Sequence, residues 1–319
     1  MTVWAIKQGI CVDNFAYGSA ERNIGVKHLP IYTKEKDAMY QVKKNNSDSL
    51  QFYNFARSFL ESHLPVEMSA EELEEYFKAD NDNFKSIGDV FARFIESAQN
   101  YQGAPNSINL KERKDGIRKI LFNYDVSRVV KEYDADSLDQ EFRSRFKLGP
   151  SNKKSYWYRW SHSIIDSAKF LIKFNDANEF REFVMSFNSN ANTRMALSLL
   201  ISERINGFGF ALACDALKEL GFYEYCKPDT HLVDIFSKAG ICECNKLDVF
   251  ETVSKISERC CEAGESVTPY KIDKILWLIS SGRYYRHDSI DDVKSLKNEF
   301  IEELKSQKNK WNFSEPRFY

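Results

Sequence analysis

The sequence predicts a mainly α protein with a small β element at its N-terminus, on three observations. Apolar residues recur at helical spacing throughout the second half of the chain. Capping residues and a glycine stop bracket the clearest of these runs. Neither a strand–helix alternation nor a repeat of fixed period is present.

Taken in order, residues 2–12 are the best strand candidate. An acidic helix is expected around Ala70–Lys78, where such charge normally marks a solvated face. The Pro- and Asn-bearing stretch 100–110 reads as a loop or boundary, which places an N-terminal region of unassigned role at 1–115 and a helical region at 116–319. At 319 residues the chain is long enough for two lobes sharing a cleft, and 43% hydrophobic with 29% charged residues describes a globular protein. No segment approaches a membrane span, and the opening MTVWAIKQGI has neither the basic region nor the apolar core of a secretory signal.

A net charge of −2 fits nucleic-acid binding poorly, because such domains usually carry a basic excess. Its distribution softens the objection. Residues 61–100 carry ten acids against three bases, whereas 141–160 carry Arg143, Arg145, Lys147, Lys153, Lys154 and Arg159 against Glu141 alone. Within that basic stretch Tyr156, Trp157, Tyr158 and Trp160 crowd around Arg159, with His162 close behind. Aromatic rings beside cations suit the stacking of an extruded base, and they equally suit a core. Trp157, Tyr158 and Trp160 are the stacking candidates, with at least one ring expected to face a cleft.

Further on, Asn192 or Thr193 is placed to cap a helix whose apolar face is Met195, Ala196, Leu199 and Leu200. Ile205, Asn206, Gly207, Phe208 and Gly209 then form a tight hairpin. The two glycines let the backbone turn and approach another surface with no Cβ in the way, while Phe208 anchors the turn. A second helix carries Phe210, Ala213, Cys214, Leu217 and Leu220, and Gly221 ends it. Its first amides point out of the hairpin and form a site for a phosphate oxygen. A plain corner between two helices has the same look.

Asp229 stands twenty residues past Gly209, in Lys227-Pro228-Asp229-Thr230-His231, just before a stripe of Leu232, Ile235, Phe236 and Ala239. It reads as the N-cap of that helix. A carboxylate held there also suits stabilisation of positive charge on a sugar during glycosidic cleavage.

With these residues in place, the chain resembles the helix-hairpin-helix base-excision DNA glycosylases. Ile205, Gly207, Phe208, Gly209 and Ala213 fill the hairpin pattern, Asp229 the carboxylate position and His231 the x-His position, over about residues 193–240. The resemblance implies a two-lobed helical glycosylase fold that binds double-stranded DNA as a monomer and flips a damaged or modified base. It implies Asp229 as the catalytic carboxylate and Gly207, Phe208, Gly209, Ala211 and His231 as the DNA-contacting set, and it leaves room for a monovalent cation at the hairpin. Relatives that also cut the strand carry a nucleophilic Lys where this chain has Ala211, and a methyl group cannot attack. A monofunctional enzyme follows, with a lyase using Lys218 or Lys227, outside the usual position, as one alternative. A non-catalytic DNA-binding or scaffold module is the other.

The iron–sulfur cysteine pattern of some relatives is absent. Cys242, Cys244, Cys260 and Cys261, spaced C-x-C and C-C, make poor zinc ligands and read as free buried thiols, so no cofactor or metal is expected. Seven cysteines, an odd number, argue for a reducing compartment and a cytoplasmic or nuclear protein. Trp277, on a stripe with Ile272, Ile275, Leu276 and Ile279, is expected to pack.

Overall fold

The computed structural model describes residues 48–78, 84–100, 104–287, 290 and 293–308. Among them the chain is mainly α, with fifteen helices and no strand. The strand expected at residues 2–12 lies outside the described residues. No described helix is long and apolar enough to cross a membrane.

The order begins with α1 (48–62), α2 (Ala70–Glu75), α3 (Ile87–Gln99), α4 (Ala104–Ile108), α5 (Leu110–Ile120), α6 (Val126–Glu132) and α7 (Ala135–Phe146). It continues with α8 (Tyr156–Leu171), α9 (Ala177–Ser186), α10 (Ala191–Arg204), α11 (Phe210–Glu219), α12 (Thr230–Lys238), α13 (Lys246–Glu262), α14 (Pro269–Ser281) and α15 (Lys297–Lys308). The expected loop at 100–110 holds the short α4, and the 115/116 boundary falls inside α5. Val42–Tyr319 form one compact unit, so the described part of the N-terminal region packs with the rest.

Local chemistry sets the helix starts. Ser86 and Asp89 close a reciprocal capping box on α3, and Asn190 and Thr193 do so on α10. Asn190 is therefore the α10 cap, and Thr193, a proposed cap, is its partner one turn inside. Thr268 caps α14 ahead of Pro269, which loses nothing there because a first-turn amide has no helical partner. Gly221 follows α11 at φ 97°, the left-handed stop its lack of a Cβ allows.

Packing follows the apolar stripes. α8 lies against α3, α4, α6 and α7, while α12, α13, α14 and α15 pack among themselves and α10 joins them through α13. α11 touches α3 on one side and α10 on the other. A phenylalanine network runs through the middle. Phe94 of α3 meets Phe170, Phe180 and Phe208 edge-on, with ring centroids 5.7–6.3 Å apart. Phe208 is thus the plug by which the α10–α11 turn is held against α3, as its position between two glycines led us to expect.

Candidate active site and hairpin

The two hairpin glycines do different jobs. Gly207 takes φ 77°, a left-handed conformation that L side chains rarely adopt, and a Cβ there would meet Ser163 Oγ at 2.9 Å. Ser163 holds the turn by donating to the Asn206 carbonyl at 2.6 Å, while the Asn206 amide donates to Asp166 Oδ2 at 3.1 Å. Gly209 has an ordinary extended backbone, φ −79° and ψ 166°, as N-cap of α11, with no side-chain cap bond. A Cβ built on it meets nothing within 4 Å. Neither the turn nor the packing of this chain requires glycine at 209, so the tight turn rests on Gly207 alone. What Gly209 supplies is a bare, exposed backbone at a helix N-terminus.

Of the other residues expected on the DNA side, Phe208 and Ala211 have their side chains buried. The Phe208 ring serves the core, and Ala211 faces inward from the first turn of α11. Ala211, Asp215 and Lys218, at i, i+4 and i+7, share one helix face. That face leads from the hairpin into an ionic cluster.

At its centre Lys218 Nζ donates to Asp273 Oδ2 at 2.5 Å, and both side chains are almost fully buried. Asp273 also accepts the Lys227 amide at 2.8 Å. Lys227 Nζ approaches Asp215 Oδ1 at 3.4 Å, and Asp215 Oδ2 accepts from Ser97 at 3.0 Å. Lys274 bridges Glu219 and the Tyr285 hydroxyl, each at 2.9 Å. Buried charges of this density persist only when each is partnered.

The titrations follow from that geometry. Burial pulls the Lys218 ammonium down, but Asp273, Glu219 and Asp215 outweigh it and hold the group well above an ordinary lysine. Burial pushes Asp215 up, yet Lys227, Lys218 and Arg93 together win and hold its carboxyl well below the usual range. For Asp273 burial dominates, with Asp229 adding to it against the pull of Lys218, and the carboxyl is raised.

Asp229 caps α12, its Oδ1 accepting from the amides of His231 at 2.8 Å and Leu232 at 3.3 Å. It is half-buried, and both bonds fall on one oxygen. The capping role read from the sequence is the one observed. His231 does not lie on the hairpin: it lines a pocket of about 700 Å³ together with Asp215, Lys218, Lys227, Trp277 and Tyr285, and its buried Nδ1 has no hydrogen-bond partner. Trp277 and Tyr285 meet edge-on at 5.7 Å and form the aromatic side of that pocket; Trp277 packs against the core as expected, and being half-buried it also lines the pocket.

The aromatic cluster of α8 divides. Trp157 and Trp160 are buried among Phe142 and Phe146, and Trp160 Nε1 donates to the Ile95 carbonyl at 3.0 Å. Helical spacing turns these two rings into the α7–α8 contact, which removes Trp157 from the stacking candidates; Trp160, equally buried, is among the residues lining a cavity. Tyr158 is half-buried and lines a second pocket of about 490 Å³ beside Asn206 and Gly207 of the hairpin. Part of the basic stretch is structural, since Arg143 pairs with buried Asp139 at 2.8 Å and donates to the Ser155 hydroxyl that caps α8.

All six described cysteines are free, but they are not uniformly buried: Cys260 is, whereas Cys244 and Cys261 are exposed. The described residues contain no group of three or more His, Cys, Asp or Glu side chains placed to hold a metal ion.

The ionic cluster was missed in the sequence, where Lys218 read as solvated. Its signal is an acid and a base sharing the Ala211 face of α11, Asp215 and Lys218, matched by Asp273 and Lys274 amid the apolar run of α14. No family model, curated protein or solved structure matches the chain.

Proposed function

We propose that the protein is a monofunctional DNA N-glycosylase of the helix-hairpin-helix class, with the two-lobed fold of that class. The carrying observation is that one helix joins both halves of the task. α11 begins at the open backbone of Gly209, and its Ala211–Asp215–Lys218 face runs down to the pocket lined by Lys227 and His231, two residues to either side of Asp229 in the chain. The hairpin grips a phosphate of double-stranded DNA through backbone amides, without reading sequence.

A damaged or modified base is flipped into the pocket, where Trp277 offers a ring face and the charged groups offer hydrogen bonds to its polar edge. The bond from C1′ to the base nitrogen breaks with its electron pair leaving on the base, which takes up a proton. Asp229 stabilises the positive sugar, orients a water that bonds to C1′, and accepts the proton that this water releases. Expulsion of water by the flipped base strengthens these electrostatic effects.

Lys218 is the one observation that favours a lyase, because it lies on the face below Ala211. Its pairing with Asp273 keeps it an ammonium, and an ammonium has no lone pair for attack on a sugar. The protein acts as a monomer in the cytoplasm or nucleus on this reading.

Duplex oligonucleotides, each with one modified base, test the proposal when incubated with protein and divided between direct electrophoresis and alkali treatment. Breaks that require alkali are the expected result. Absence of cleavage across a broad panel, or full turnover by Asp229→Asn, would overturn it. Breaks without alkali, with a borohydride-trapped adduct, would restore the lyase reading.

A further inference from the structure

We infer that the pocket beside the hairpin is a nucleotide site, separate from the charged pocket lined by Asp215, Lys218 and His231, that takes a flat nucleobase with its attached phosphate. The walls are chemically one-sided. Tyr156, Tyr158 and His162 present rings, Lys153 and Arg159 present cations, and among the described residues lining the cavity none is acidic. The charged pocket, by contrast, mixes acids with bases throughout. An acid-free, cationic and aromatic cavity selects an anion that carries an aromatic group.

The interior favours a base over a simple anion. Tyr158 and His162 pack with ring centroids 4.6 Å apart, and His162 Nε2 is buried with no hydrogen-bond partner. The rings of Tyr156, Tyr158 and His162 give the cavity an aromatic lining, against which a heterocycle packs and a simple anion does not. The volume, about 490 Å³, lies within the range of small-ligand pockets and is ample for a nucleotide.

Position argues for the same ligand. Asn206 and Gly207 form one wall of the cavity, two residues from the open backbone of Gly209. Two residues of chain span at most about 7 Å. A strand held by a phosphate at Gly209 would therefore pass the mouth of the cavity, and an unstacked neighbour could enter it. A free mononucleotide carries the same chemistry. The inference does not depend on Asp229 or on base excision.

Isothermal titration separates the sources, with three probes: adenosine monophosphate, ribose 5-phosphate and a ten-nucleotide single-stranded oligothymidylate. Lys153 is exposed and Tyr158 half-buried, so Lys153→Ala and Tyr158→Leu lie outside the core; thermal melting checks that each variant folds. Saturable binding of the mononucleotide, with ribose 5-phosphate and both variants weaker by about tenfold or more, supports a site for free nucleotide. Binding of the oligonucleotide alone, weakened in both variants, supports a site for the gripped strand. Absence of binding by either nucleotide probe, equal binding of ribose 5-phosphate, or affinity unchanged in both variants overturns the proposal. Asp229→Asn is expected to bind these probes as the unaltered protein does, so failure of the excision reading would be seen separately.

Discussion

Lys218 and Asp273 form a direct ion pair, 2.5 Å from nitrogen to oxygen, between residues 55 apart in the chain on α11 and α14, the same two helices that the Lys274–Glu219 pair joins. A pair so buried is costly to halve. Lys218→Met or Asp273→Leu alone is expected to destabilise the fold by about 3–5 kcal/mol, because each leaves a buried charge unpartnered. The double substitution should cost less than the sum of the two. Urea denaturation of the four proteins measures the coupling, and simple additivity would show that the pair is not coupled.

Acid stability should report on Asp215. Its carboxyl is held below the ordinary range, chiefly by Lys227 and Lys218 against burial. A depressed folded value makes its contribution fully present above the unfolded value of about 3.9 and lost as pH falls through the folded one. Asp273, raised, runs the opposite way as pH rises from the same region. Asp215→Asn is therefore expected to lower stability at pH 7 and to flatten the loss below pH of about 4. Unfolding free energies from pH 2 to 7 decide it, and an unchanged acid slope would count against the assignment.

The two hairpin glycines should part company when each gains a methyl group. Gly207→Ala forces a left-handed alanine onto Ser163 and is expected to cost about 1–2 kcal/mol in thermal unfolding. Gly209→Ala meets open space and an ordinary backbone, so stability should move by less than about 0.5 kcal/mol. If the hairpin grips DNA, Gly209→Ala should nevertheless weaken salt-sensitive duplex binding severalfold. Undiminished binding in that variant would remove the phosphate contact from Gly209.

Asp229 has a structural and a proposed chemical role that two substitutions separate. Asn caps helices as well as Asp, so Asp229→Asn should keep stability close to that of the unaltered protein while removing nearly all base excision. Asp229→Ala should lose the excision and also about 1 kcal/mol of stability with the cap. Melting temperatures beside alkali-dependent strand cleavage give both readings. An Asn variant that excises at the normal rate would leave Asp229 a cap and nothing more.

The sequence by itself determined the helices on both sides of the hairpin, the hairpin and the capping of α12, because each depends on neighbours within a turn or two. Helical periodicity placed Leu217 and Ile235 inside, the flanking glycines marked Phe208 as the anchor of the turn, and Gly221 read as a stop, without knowledge of any partner. The same local view placed the α10 cap two or three residues late and read Trp157 and Trp160 as stacking candidates, since spacing alone does not tell which face of α8 meets α7. Only tertiary packing decided that Lys218 is buried and partnered, that His231 and Trp277 face one pocket, and that Gly209 is open while Gly207 is strained. The reason is range: a charge off the apolar stripe of its helix reads as solvated until α14 supplies Asp273, 55 residues away, to hold it out of water.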